Sequence, residues 1–244
     1  MYRFRPSELF RTQAEMDYQA FTLPNGAGRY LVVDDFYADP LAVRRLLLTT
    51  PYPAWERDVT GANLQAYSDC RQNIQLPTHQ VQDAIRGLCQ QALGIALPRN
   101  RPNFVTNLFR NEVEPPVTAQ PRPHDDGPSV AAIVMLNLPE ECAGGTAFYC
   151  SRNPPVACMP TDPASYQALR QQIYLGSREE ARAGYFLDQW EEHWQRIATV
   201  EMKFNRLLLY PGLQFHGHWH VPGSFTEHWR LNQTFFFDDP VWAG

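Results

Sequence analysis

Lysine is almost missing from this chain: Lys203 is the only one in 244 residues, and no run of arginines replaces it. A nucleic-acid surface needs a basic stripe, so the composition, with its net charge of −5, argues against a general DNA or RNA binder. Cysteine offers no framework either. Cys70, Cys89, Cys142, Cys150 and Cys158 are odd in number and form no CxxC pair, which fits free thiols in a reducing cytoplasm better than disulfides or a structural zinc. No stretch approaches the ~20 apolar residues that span a bilayer. The opening MYRFRPSELFRTQAEMDYQ is polar and lacks an apolar leader. Internal repeats and low-complexity tracts are absent as well. The expectation is a soluble cytoplasmic protein with no membrane contact.

What is present is globular. Hydrophobic residues make up 44% and charged residues 19%, enough for one well-buried core, and residues 1–244 are expected to form a single domain. Near the N-terminus GRYLVVDDF (28–36) reads as a strand, and Asp39-Pro40 opens a helix through Thr49. A second amphipathic helix is expected from Thr78 to Leu93, with Val81, Ile85, Leu88 and Leu93 near helical spacing.

From about Asn103 the pattern changes to strands. FVTNLFR (104–110) alternates, and a Pro-rich connector (114–123) leads to His124-Asp125-Asp126-Gly127. VAAIVMLNL (130–138) is a continuous apolar run, as in a strand buried on both faces. GGTAFYC (144–150), NRLLLY (205–210) with its Pro211-Gly212 turn, and RLNQTFFF (230–237) complete the series. Gly144-Gly145 reads as a hairpin turn that needs positive φ. Short strands separated by Gly/Pro turns imply a sandwich or jelly roll. Residues 162–196, rich in Gln, Arg, Glu and Ala, read as two helices inserted between core strands. Such an insertion serves as a lid or as inert padding. The tryptophans read first as core, and Glu191 and Glu192 as a solvated helix face.

The chemistry concentrates in His124-x-Asp126. One hard carboxylate and two imidazoles on one side of an iron(II) leave adjacent positions open for cosubstrate and dioxygen. His and Asp two apart at the lip of a strand form such a clip; spacing favours Asp126 over Asp125. The third ligand must come from another strand. His79 and His193 fall in helical segments and read as solvated or packed. His216 follows an apolar strand and a turn, and His218 and His220 alternate with it. Period alone cannot choose among them. Position after NRLLLY favours His216, whereas His218 and His220 approach the Val221-Pro222-Gly223 turn signal and are expected to run toward solvent or a substrate mouth. Arg230 opens the last apolar strand, where its guanidinium could grip a far carboxylate with two bonds. Asn232 and Thr234 continue a polar file at period two.

The order HDD (124–126), VAAIVMLNLPEECAGGTAFY (130–149), NRLLLYPGLQFH (205–216) and RLNQTFFF (230–237) resembles the 2-oxoglutarate and iron(II)-dependent dioxygenase superfamily. Its prolyl-hydroxylase-like and related bacterial branches are the most similar, and YLVVDDFYADPLAVRRLLL (30–48) looks like their entry strand and helix. The resemblance implies a mainly β (α+β) fold: a double-stranded β-helix (jelly-roll) core with N-terminal helices and the helical insertion. It implies iron(II) on His124, Asp126 and His216, and Arg230 on 2-oxoglutarate, with Asn107 and Thr234 as secondary cosubstrate contacts. It also implies dioxygen consumption and hydroxylation of a small molecule, amino acid or peptide. The sequence departs from that group in two spacings: Asp126 to His216 is long, and so is His216 to Arg230, for which His220 stands nearer. Two rivals follow: a non-catalytic jelly-roll module holding a structural metal or none, and a zinc or copper protein built on His216, His218 and His220.

Overall fold

Alternation along RYLVV, SVAAIVM, RLLLYP and RLNQTFFFD gives these segments two distinct faces, and the tertiary structure uses both. The computed structural model describes residues 6–24, 28–49, 69–72, 78–99, 103–110, 120–174, 186–187, 190–238 and 241–242. In chain order the helices are α1 (Pro6–Leu9), α2 (Pro40–Thr49), α3 (His79–Leu88) and α4 (Pro163–Tyr174). The strands begin with β1 (Tyr18–Thr22), β2 (Arg29–Val33), β3 (Asp69–Gln72), β4 (Ile95–Ala96), β5 (Asn103–Arg110), β6 (Gln120–Pro121) and β7 (Ser129–Met135). They continue with β8 (Gly145–Ser151), β9 (Phe186–Leu187), β10 (Trp194–Glu201), β11 (Arg206–Pro211), β12 (His216–Trp219), β13 (Arg230–Asp238) and β14 (Val241–Trp242).

Among the described residues every ladder is antiparallel. A seven-stranded sheet runs β1-β2-β11-β7-β13-β5-β3, and a three-stranded sheet runs β10-β8-β12. Ala131 and Met135 of β7 and Leu208 and Tyr210 of β11 pack against Phe148 of β8 and Val200 of β10. The two sheets therefore face each other, an arrangement compatible with a jelly-roll core. The opposite face of the larger sheet presents Val130, Ala132, Val134, Leu207, Leu209, Leu231, Phe235 and Phe237 to α2 and α3. These helices answer with Val43 and Leu47, and with Val81, Ile85 and Leu88, at helical spacing. Each such fully buried side chain contributes ~1.5–3 kcal/mol. Gln233, the polar exception on that face, accepts a hydrogen bond of 2.7 Å from the Tyr37 hydroxyl.

The expected start signal at Asp39 is in place: its Oδ1 accepts the Ala42 amide at 3.0 Å, and Asp162 Oδ1 caps α4 in the same way, accepting the Ser165 amide at 2.8 Å. α3 ends earlier than expected, at Leu88, and Cys89–Leu93 continue as one π-helical turn closed by Gly94 at φ 70°. The expectation of two helices over 162–196 is corrected. Only α4 is helical among the described residues of that segment; Trp190–Glu192 is a single 3₁₀ turn and Trp194–Glu201 is strand β10. Ile197, Thr199 and Val200 are β-branched, and β10 pairs with β8 through a register shift between Arg196 and Ala198. That bulge breaks the alternation which would have identified a strand. Residues 175–185 lie outside the described residues. Gly144 and Gly145 do adopt positive φ, at 64° and 152°, but they do not turn a hairpin. β7 and β8 belong to different sheets, and a side chain on Gly144 would strike the Trp219 carbonyl. Trp190 and Trp194 are core, as expected, packed with Tyr149 and Phe215 on the outer face of the smaller sheet. Trp55 lies outside the described residues.

Candidate metal centre

β12 is four residues long, and its first residue is bound by neighbours on two sides. His216 stands opposite Phe148 in the β8 register, while its backbone exchanges both hydrogen bonds with His124, each 2.9 Å. This isolated bridge brings the His124-Asp125-Asp126 segment to the edge of the smaller sheet. Asp126 is anchored through its own backbone: its amide donates to the Gly212 carbonyl at 2.8 Å, and its carbonyl accepts from the Ser129 hydroxyl at 3.2 Å. Gly212 must be a glycine here. A Cβ would come 2.3 Å from Ser129 Oγ and 3.1 Å from Asp126 Cβ.

The ligand atoms of His124, Asp126 and His216 lie within 4.8 Å of one another. His216 Nε2 is 3.1 Å from one Asp126 carboxylate oxygen and His124 Nε2 is 3.8 Å from the other. Both Nδ1 atoms face backbone carbonyls: His216 that of Gln214 at 2.8 Å, His124 that of Arg122 at 3.3 Å. An Nδ1–H donated there leaves each Nε2 lone pair directed at the cluster. Burial pushes the Asp126 carboxyl up, but the charge and hydrogen bond of His216, with His124, outweigh it and hold it below its ordinary value. Burial pushes His216 down, and Asp126 more than reverses it. His216 is buried, whereas the His124 side chain is 46% exposed. The site therefore has a closed side and an open one.

The closed side is aromatic. Tyr210 packs on His216 with ring centroids 4.6 Å apart, and Phe148 and Tyr30 extend the wall. Burial and then Asp126 drive the Tyr210 phenol well above its ordinary range, with Arg230 opposing them. Asp126 and Arg230 thus act on one shared interior. Arg230 is 4% exposed, and its guanidinium reaches across to the Gly145 carbonyl of the smaller sheet at 3.3 Å. Asn232 and Thr234 follow it on the same face, joined by a 3.3 Å hydrogen bond from the Thr234 hydroxyl to Asn232 Oδ1. Asn107 lies directly opposite Asn232 in the β5–β13 register.

Asp125 has a different task from Asp126. Its Oδ1 accepts the Gly127 amide at 3.0 Å and the Tyr166 hydroxyl at 2.7 Å. Burial, with the bond to Asp125, raises Tyr166 to about 12, so the phenol stays a donor. Tyr166, Tyr210 and Gly212 were not among the residues expected at the site. Only the inward alternation of Tyr210 along NRLLLY could have signalled one of them. His218 stands opposite Thr146 on the His216 side of β12, outside the three-residue cluster. His220 is also outside it and, contrary to expectation, does not run to solvent: it is 2% exposed. The turn signal after it is real: Gly223 stands at φ 78° and the Ser224 amide donates to the Val221 carbonyl. His79 and His193 are exposed and lie outside the cluster.

Several solved structures are similar in outline. An α-ketoglutarate-dependent epimerase, SnoN, in complex with Fe3+, alpha ketoglutarate and nogalamycin RO is 18% identical, covering 88% of this chain and 81% of that one at a TM-score of 0.46. The non-heme carbocyclase SnoK from nogalamycin biosynthesis is 13% identical over 87% and 81%, with a TM-score of 0.42. A Pseudomonas putida prolyl-4-hydroxylase is 14% identical over 92% of both chains, with a TM-score of 0.37. No curated protein matches the chain. A family model does, over residues 14–220, and the chain belongs to that family, described as a family of unknown function (DUF6445).

Proposed function

We propose that this chain is a single-domain 2-oxoglutarate-dependent, non-haem iron(II) oxygenase on a double-stranded β-helix core. Its substrate is a small molecule, amino acid or peptide hydroxylated at an unactivated C–H. One observation carries this reading: two imidazoles and one carboxylate converge within 4.8 Å, between sheets whose other wall holds the buried Arg230 guanidinium.

The donor set fits iron(II). Two neutral nitrogens and one hard oxygen on one side are what that ion takes when other positions stay open. Zinc or copper would also accept the imidazoles, but would leave Arg230 and its polar file without a task. When bound, iron(II) with 2-oxoglutarate and dioxygen supplies the power to oxidise a C–H bond, the keto acid leaving as succinate and carbon dioxide. The protein's own groups hold and exclude. His124 and His216 keep their Nε2 lone pairs available by donating from Nδ1. Asp126 stays ionised beside them. Arg230 offers the distal carboxylate of 2-oxoglutarate a charge-assisted fork, and Asn107 and Thr234 are assigned as secondary cosubstrate contacts. Tyr210 and Phe148 keep water from the buried side. The prime substrate enters where His124 is exposed.

The test is anaerobic addition of iron(II) and 2-oxoglutarate, followed by dioxygen. A charge-transfer absorption band and then succinate are expected from the wild type, and neither from Asp126→Ala. Equal succinate from both, above a control lacking protein, sinks the proposal. A bound metal with no band and no succinate supports the non-catalytic jelly-roll module instead.

A further inference from the structure

Helix α4 stands outside both sheets. From Pro163 to Ile173 its residues are exposed except for Tyr166, Leu169 and Ile173, a stripe at positions i, i+3 and i+7 that rests on the outer face of the smaller sheet. Tyr166 does one thing more than pack. Its hydroxyl donates to Asp125 Oδ1 at 2.7 Å, the same oxygen that accepts the Gly127 amide. Asp125 is the residue between His124 and Asp126, and its own carboxylate points away from their cluster, toward the helix. The segment is thereby held at three points: through His124 to His216, through Asp126 to Gly212, and through Asp125 to α4. Two of these are backbone bonds within the β framework. The third is a side-chain bond to a helix outside the β framework.

We infer that Tyr166 is a positioning residue: α4 sets the separation of His124 and Asp126 through its hydrogen bond to Asp125, so that metal affinity depends on where this helix docks. The inference rests on the proposed metal centre. It gives the insertion a task that is neither a lid nor padding. Without the Tyr166 hydroxyl the Asp125 carboxylate loses its tie to α4, and the segment that carries His124 and Asp126 is held less firmly. Supporting groups of this kind typically alter metal affinity by about 10–100-fold, and loss of one anchoring point out of three belongs at the lower end.

Cobalt(II), added to the metal-free full-length protein, is the probe, because its absorption spectrum reports both affinity and ligand geometry. Tyr166→Phe keeps the ring and its packing and removes only the donor. It is expected to weaken cobalt(II) binding about tenfold and to shift the visible bands. Asp125→Ala, which removes the Gly127 bond as well, should weaken binding at least as much, and the double variant should lose no more than Asp125→Ala alone, because the Tyr166 bond is already gone in it. Leu169→Ala, which trims the packing stripe beside Tyr166 and so loosens the docking of α4, should weaken cobalt(II) binding in the same direction as well as lower the Tm. Wild-type affinity and spectrum in Tyr166→Phe would overturn the inference, as would losses that add in the double variant. Failure of the wild type to bind cobalt(II), or binding indifferent to Asp126→Ala, would instead remove the metal centre itself and the inference with it.

Discussion

His124 and His216 hold each other by both backbone hydrogen bonds, 2.9 Å each, with their rings 4.6 Å apart and 91 residues of chain between them. A closely bonded antiparallel pair fixes both side chains on one face of the ladder. This is why His216, and not its neighbours at the same period, meets Asp126.

His216→Ala should therefore empty the metal site as completely as His124→Ala, in metal content measured after reconstitution with iron(II). His220→Ala should keep the metal but lose stability. Its ring is 2% exposed, and deleting a buried side chain of that size costs about 2–4 kcal/mol. Metal lost from His220→Ala and retained by His216→Ala would move the distal ligand four residues along the chain.

Arg230→Ala should leave iron binding nearly intact and weaken 2-oxoglutarate. An ionised carboxylate left without its buried partner costs about 3–5 kcal/mol, a loss in affinity of roughly a hundredfold or more. Arg230→Lys should recover only part, since an ammonium cannot form the two-pronged bond. Titrating 2-oxoglutarate against the charge-transfer band measures both. Unchanged affinity in Arg230→Ala would show that the anchor lies elsewhere.

Gly212→Ala and Gly127→Ala separate crowding from backbone strain beside Asp126. At Gly212 the added methyl meets Ser129 Oγ at 2.3 Å and Asp126 Cβ at 3.1 Å. Overpacking of that kind costs about 1–3 kcal/mol and should weaken metal binding as well. At Gly127 nothing lies within 4 Å, and the cost is only that of φ +72°, about 1–2 kcal/mol. Thermal melts and metal titrations of the two variants should diverge in that order.

The Asp34 cluster gives a pH dependence remote from the site. Its carboxylate takes Arg206 Nε at 2.7 Å and Lys203 Nζ at 2.8 Å. The Arg206 hydrogen bond, followed by that of Lys203, lowers its pKa to about 2 against the opposing effect of burial. A depressed carboxyl stabilises the fold above its unfolded value of 3.8 and loses that contribution as pH falls through about 2. The side chain is 35% exposed, so screening reduces the contribution to about 1 kcal/mol or less. Asp34→Asn should be the less stable protein at pH 7, with the gap closing between about pH 4 and pH 2. A gap that persists at pH 2 would assign the loss to something other than charge.

Much of the fold can be read one residue at a time. The apolar runs of β7 and β11 are buried on both faces because a sheet lies on one side and helices on the other, and continuous hydrophobicity is the direct record of that. Asp39 and Asp162 mark helix starts because an N-cap needs only its own next turn. β10 was hidden for the opposite reason. It is the edge strand of a three-stranded sheet, its residues 195–199 are polar or half-covered, and the bulge at Arg196–Ala198 shifts its phase.

The sequence by itself determined the cast of the candidate site: an HxD clip after a Pro-rich connector, histidines after an apolar strand, an arginine with a polar file at period two. Residue type and local spacing are chain properties and survive without the fold. Only the tertiary structure decided which of these meet. It turned Asp126 to the histidines and Asp125 to Tyr166, took His216 into the cluster, covered His220, and carried the Arg230 guanidinium across to Gly145. Each of these depends on the register between segments far apart in the chain. In an antiparallel ladder, a slip of one residue sends every side chain to the other face, and no local pattern encodes that choice.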